Sequence, residues 1–181
     1  MIFDDLNTVK IPSHFKNIYF GMGCFWGAEK AFWDYNGVYT TIVGYSGGNK
    51  HNPTYEDICS GQTGHAEIVK VIYDKDVINI KKLLKVFWES HDPTQLNRQG
   101  NDIGSQYRSA IYCENEDDLK ISEDSKNEFQ KLLDSFGFEK IQTEIIMLKN
   151  FYSAEDYHQK YLFKNPNGYC GLSGLGLTFK F

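Results

Sequence analysis

The chain has 181 residues, of which 24% are charged, and a formal net charge of -5 at pH 7. That length suits one domain able to bury a core without staples, and the acidic balance argues against nucleic acid as a partner. Aromatic residues make up 15%, and many lie beside Gly, Asn and Pro, as in a lined pocket or at the edges of an aromatic core.

Residues 1–10 carry Asp4 and Asp5 and no long apolar run. Neither a signal peptide nor a membrane span is expected, and the setting reads as cytoplasmic. Cys24, Cys59, Cys113 and Cys170 are spread along the chain without a C-x-x-C pair, unlike a disulfide-dense secreted domain or a zinc ribbon. In a reducing compartment such cysteines are either buried and inert or individually reactive.

Residues 17–20 are β-rich and run into Gly21-Met22-Gly23-Cys24-Phe25-Trp26-Gly27, after which residues 26–35 read as a helix with Phe25, Ala28, Phe32 and Tyr35 along one side. Flanking glycines give a tight turn, and a helix starting after Cys24 would aim free N–H groups at its sulfur, favouring thiolate. The same heptapeptide also suits a small apolar residue at a crowded corner. Asn36-Gly37 stops the helix, residues 38–45 form a strand, and a long polar loop follows.

Residues 65–73 alternate as a strand, with Glu67 on the face of Val69 and Val71. A carboxyl so placed loses water, gains a raised pKa and becomes a proton donor near neutrality, or else a neutral acid bonded to backbone. Asn79 caps a helix whose Ile80, Leu83, Leu84, Phe87 and Trp88 form a core-facing stripe. The polar connection 91–102 is long for a simple link. A strand over 107–113 places Cys113 among core residues, and the acidic run 114–124 opens a long solvated helix ending at Gly137. A strand over 141–148 comes next. A helix over 154–163 capped by Ser153 and a glycine-rich, mobile tail over 171–176 complete the reading. The order β-α-β-β-α-β predicts an α+β, ferredoxin-like two-layer sandwich: a mixed sheet with helices packed on it and irregular terminal extensions.

Beside Cys24 and Glu67, Tyr55 and Tyr107 can offer phenolic donors to a developing oxyanion or simply fill the core. Cys170, flanked by glycine, can move to meet another sulfur, whereas Cys59 reads as a packing residue. The five histidines, His14, His51, His65, His91 and His158, form no metal-binding spacing, so no metal site is expected.

Gly23-Cys24-Phe25-Trp26-Gly27, Gly44-Tyr45-Ser46-Gly47-Gly48, Asn52-Pro53-Thr54-Tyr55, Cys59-Ser60-Gly61 and Thr63-Gly64-His65-Ala66-Glu67 appear in order. His91-Asp92-Pro93-Thr94, Gln99-Gly100-Asn101-Asp102, Gln106-Tyr107-Arg108-Ser109, Tyr157-His158-Gln159-Lys160-Tyr161-Leu162 and Gly168-Tyr169-Cys170 follow. With these motifs the chain closely resembles the A-type peptide methionine sulfoxide reductases, which reduce the S epimer of methionine sulfoxide, protein-bound or free. The resemblance implies a single catalytic domain over 1–181, with a mobile segment 165–181 carrying the resolving cysteine. It makes Cys24 the attacking thiolate, Glu67 the acid and Tyr55 and Tyr107 its partners at the sulfoxide oxygen. Phe25 and Trp26 would pack the S-methyl group, and Asp102 and His158 would contact the substrate backbone. A Cys24 sulfenic acid then condenses with Cys170, and thioredoxin reduces the disulfide, with no cofactor. Many relatives carry a further tail cysteine, but residues 172–181 hold none; Cys59 or Cys113 taking that relay role is left open. Two other readings are a cysteine hydrolase using Cys24 with His65 or His158 as base, and a binding module without catalysis.

Overall fold

A computed structural model describes residues 12–181. The amino-terminal stretch on which the signal-peptide reading rests lies outside the described residues. Strand β1 (Phe15–Met22) leads into helix α1 (Phe25–Phe32), strand β2 (Val38–Ser46), short helix α2 (Tyr55–Cys59), strand β3 (Ala66–Asp74) and helix α3 (Ile80–Ser90). A small hairpin, β4 (Arg98–Gln99) with β5 (Asp102–Ile103), precedes a 3-10 turn over Ser105–Tyr107 and strand β6 (Ser109–Cys113). Helix α4 (Glu116–Ser135), strands β7 (Glu144–Met147) and β8 (Tyr152–Ser153), and helix α5 (Tyr161–Lys164) finish the chain.

The sheet order is β7-β6-β1-β3-β2-β8, antiparallel except for the β6–β7 pair. Its central strands β6-β1-β3-β2 carry the expected ferredoxin-like arrangement, so the fold is α+β with a mixed sheet. Alternation along β3 sorts its side chains as the sequence requires. Val69, Val71 and Tyr73 join the large core with α1, α3 and α4, while Ala66 and Ile68 join a smaller cluster on the opposite face. Glu67 therefore points toward the helices.

Asn79 and Asn115 cap α3 and α4, each side chain accepting an N–H from the first turn, and Glu116, Asp117 and Asp118 complement the α4 dipole. The expected helix over 154–163 is corrected. Ser153 pairs with Gly44 at the free edge of β2. The Gln159 side chain bonds both main-chain groups of Val43, so this stretch satisfies β2 instead of itself. Helix α2 lies within the expected polar loop, its start held by a capping box between Thr54 and Asp57. From Leu172 onward the tail lies on the core, with Phe179 3% exposed and Leu172, Leu175, Leu177 and Phe181 packed beside it.

Candidate active site

Between the end of β1 and the start of α1 stand only Gly23 and Cys24. Gly23 has φ +90°, and a Cβ there would lie 2.6 Å from the Gln99 Cβ, so the turn that delivers Cys24 admits glycine alone. Cys24 is half-buried in the N-cap position of α1, where its side chain makes no capping hydrogen bond. The Phe25 N–H donates instead to Glu67 Oε2 at 2.9 Å. Strand and helix start thus meet through one carboxyl.

Burial pushes the Cys24 thiol up to about 12, and the charge of Glu67 adds to the effect, only partly offset by the main-chain N–H groups of Trp26 and Gly27. Burial thus works against the thiolate expected at this helix start. A helix terminus contributes only about 0.3–1 kcal/mol to a nearby charge, whereas loss of water can move a pKa by several units. Burial likewise raises Glu67, 3% exposed, to about 8 against the Phe25 hydrogen bond, with Asp102 adding to the rise. At neutral pH Glu67 is largely protonated, its influence on Cys24 falls away, and an acid stands beside the thiol.

Tyr55 begins α2 and Tyr107 closes the 3-10 turn. Burial raises both phenols. Cys59, Glu67 and Tyr107 add to the shift of Tyr55, and Glu67, Asp102 and Cys24 to that of Tyr107. Both hydroxyls therefore share the electrostatic field of Glu67 and stay protonated donors.

Phe25 is 1% exposed, with its ring 5.8 Å from Tyr45 and 5.0 Å from His158. The half-buried Trp26 donates its Nε1–H to His158 Nδ1 at 3.1 Å and stacks on Tyr161 at 3.8 Å between centroids. Since Nδ1 accepts, the His158 proton sits on Nε2, which is buried without a hydrogen-bond partner among the described residues, 4.0 Å from Glu155 Oε2. A buried donor left in this state is set to receive an acceptor from outside. Asp102, half-buried on β5, accepts from the Tyr169 hydroxyl at 3.2 Å. Cys170 is exposed, and a Cβ on Gly27 would sit 3.1 Å from its sulfur. The two cysteines thus flank the first turn of one helix. Cys113 is buried beside Ser122, whereas Cys59 is exposed at the end of α2. The packing role expected for Cys59 is corrected: its neighbour Ile58 supplies the buried face of that single-turn helix.

Sequence reasoning missed three supporting residues. Glu155 accepts the Tyr55 N–H and the Tyr45 hydroxyl, each at 2.8 Å. Glu29 pairs with Lys160 at 3.0 Å; its place among Phe25, Ala28 and Phe32 on the apolar side of α1 was the available signal. Among the described residues no group of three or more His, Cys, Asp or Glu side chains could hold a metal ion, and no helix is long and apolar enough to cross a membrane.

The family model described as peptide methionine sulfoxide reductase matches residues 16–176. The chain is 56% identical over 167 residues to peptide methionine sulfoxide reductase MsrA of Saccharophagus degradans, covering 92% of this chain and 78% of that protein. Methionine sulfoxide reductase A of Corynebacterium diphtheriae superposes with a TM-score of 0.83 at 42% identity, over 92% of this chain and 82% of that one. Mxr1 of Saccharomyces cerevisiae in reduced form gives 0.83 at 39% identity, over 90% and 93%. Mxr1 in complex with Trx2 gives 0.59 at 30% identity, over 85% and 90%. The hydrolase reading finds no support. His65 has both ring nitrogens engaged with the backbone of Gly48 and Lys50, and His158 Nδ1 is taken by Trp26, so neither serves Cys24 as base. The motif series, the buried acid near the thiol at the helix start and these likenesses agree: the chain belongs to the peptide methionine sulfoxide reductase family, in its A-type branch.

Proposed function

We propose that the chain, a thiol-dependent peptide methionine sulfoxide reductase, acts on the S epimer with Cys24, Glu67, Tyr55, Tyr107 and Cys170 as its reacting groups. One observation carries this reading: the buried Glu67 accepts the Phe25 N–H at the helix start where Cys24 holds the N-cap position, and burial raises its pKa to about 8. The sulfoxide oxygen sits between Glu67 and the two phenols, and the S-methyl group packs on Phe25 and Trp26. Glu67 gives its proton to that oxygen while Cys24 sulfur attacks the sulfoxide sulfur and passes its own proton to the vacated carboxylate. Oxygen moves to Cys24 as methionine leaves, so a sulfenic acid forms with no net loss of protons. A thiol with a raised pKa is compatible with this exchange, because thiolate forms only as its proton is handed over.

Asp102 and the orphaned Nε2–H of His158 hold the substrate main chain, in proteins or as the free amino acid. Cys170 condenses with the sulfenic acid, releasing water and forming the Cys24 to Cys170 disulfide. The exposed part of the 165–181 segment moves within a single catalytic domain to bring the sulfurs together, while the residues from Leu172 stay on the core. Thioredoxin then reduces the disulfide by exchange, as the Mxr1 complex with Trx2 suggests, and the unpaired cysteines suit a cytoplasmic setting.

The test is stoichiometric. Reduced protein is mixed with resolved S- or R-methionine sulfoxide peptides without reductant, and thiols and methionine are counted. One methionine and two lost thiols per chain are expected with the S epimer and none with the R epimer. Methionine formed without thiol loss contradicts the sulfenic route.

A further inference from the structure

We infer that the buried Glu29–Lys160 ion pair is a positioning device that fixes the Trp26 indole at the substrate methyl group; the inference rests on the reading of Trp26 as a wall of that pocket. Glu29 lies on α1, three residues beyond Trp26, and is 0% exposed. Its carboxylate accepts the Lys160 N–H at 2.8 Å, the Lys160 ammonium at 3.0 Å and the Thr41 hydroxyl at 3.0 Å. The ammonium also donates to the Thr41 carbonyl at 3.0 Å and contacts the Thr41 hydroxyl. Three segments, α1, β2 and the turn before α5, are joined at one point.

Lys160 has φ +54° and ψ 36°, a left-handed conformation that disfavours any residue with a Cβ. Both its main-chain and side-chain nitrogens bond the same carboxylate, so Glu29 holds the strained turn closed. The residues set by that turn are the two partners of Trp26. His158 takes the indole N–H at 3.1 Å, and Tyr161 covers the ring face at 3.8 Å. The indole is thus pinned at edge and face by one short segment anchored to the helix that carries it.

Stability alone does not account for this arrangement. Two charges removed from water lose much of what their attraction returns, and neutral side chains of similar volume often hold a fold as well or better. The pair excludes other placements of the 158–161 turn, any of which would release the indole.

The experiment compares the parent, Trp26→Ala and the double variant Glu29→Gln/Lys160→Met on peptides carrying the S-sulfoxides of methionine and ethionine, with kcat and KM measured for each and melting recorded. The expected result is a double variant that melts no lower than the parent but discriminates methyl from ethyl about tenfold less well, the scale of one methylene in a fitted pocket. The loss appears chiefly as a raised KM for the methyl substrate. Trp26→Ala is expected to lose the same discrimination, and the triple variant no more than either. If Trp26→Ala loses discrimination while the double variant keeps the parent ratio within about twofold, the pair is only structural and the inference is overturned. If Trp26→Ala keeps the ratio, the methyl-wall reading falls first and this inference with it. Should the double variant not fold, Lys160→Gln, which retains the main-chain bond to Glu29 and an amide donor toward Thr41, is judged by the same ratio.

Discussion

Two carboxyl groups lie almost without solvent contact against the same helix and do opposite things. Glu67 reaches the start of α1 and receives one main-chain N–H, from Phe25. Glu29, one turn further along, receives an ammonium, a main-chain N–H and a hydroxyl. Burial disfavours charge at Glu67, whereas Glu29 has a cation delivered to it. The difference teaches that partners, not depth, decide whether a buried carboxyl is free for chemistry or serves as an anchor.

The sharpest way to break this contrast is Glu67→Gln, which keeps an acceptor for Phe25 and removes the proton. It is expected to slow sulfoxide reduction roughly 10²–10⁴-fold in single-turnover assays. The parent rate should decline as pH rises through about 8, where Glu67 gives up its proton, and the variant should lack that limb. An unchanged rate would make Glu67 another anchor. Stability should rank the two the other way in urea unfolding. Glu29→Leu strands the Lys160 ammonium and is expected to cost about 3–5 kcal/mol, whereas Glu67→Gln should not destabilise at neutral pH, since it removes the proton-linked loss the parent carries there. Equal losses would erase the distinction.

The pH dependence of unfolding sharpens it further. Glu67 has its pKa raised from 4.5 to about 8, so the folded state holds the extra proton between those values. Its contribution is complete below 4.5 and is lost as pH rises through 8, at most about 5 kcal/mol. Glu67→Gln removes that alkaline loss. His91 has the opposite sign. Fully buried between the Phe87 carbonyl and the Ser109 hydroxyl, it is pushed by burial from 6.5 down to about 4. Here the unfolded chain takes the proton first, so stability is lost as pH falls from 6.5 to 4, by about 3 kcal/mol. His91→Gln should flatten that acid limb. Smallest is Thr41→Val, which deprives Glu29 of one hydroxyl and is expected to cost about 1–2 kcal/mol in the same unfolding assay. No measurable cost would mean that Lys160 alone satisfies the carboxylate.

Wherever local pattern and tertiary demand coincide, the residues announced themselves. The α3 stripe, the caps Asn79 and Asn115 and the alternation that turns Glu67 inward follow from periods of 3.6 and 2, which neighbours along the chain impose. The motif series around Cys24, Tyr55, Glu67, Asp102, Tyr107, His158 and Cys170 was equally legible, and the structure brings those residues together. Helix α2 was within reach, since Thr54 and Asp57 carry the capping signal. What the tertiary structure decided depends on groups far apart in sequence. Ser153 left its expected cap because β2 had an open edge, and Cys59 emerged on the exposed side of a single turn. Burial that other segments provide raises the pKa of Cys24. Glu29 acquired its counterion from a lysine 131 positions away. Local sequence sets which way a side chain points; only the assembled fold settles how much water and which charges it meets there.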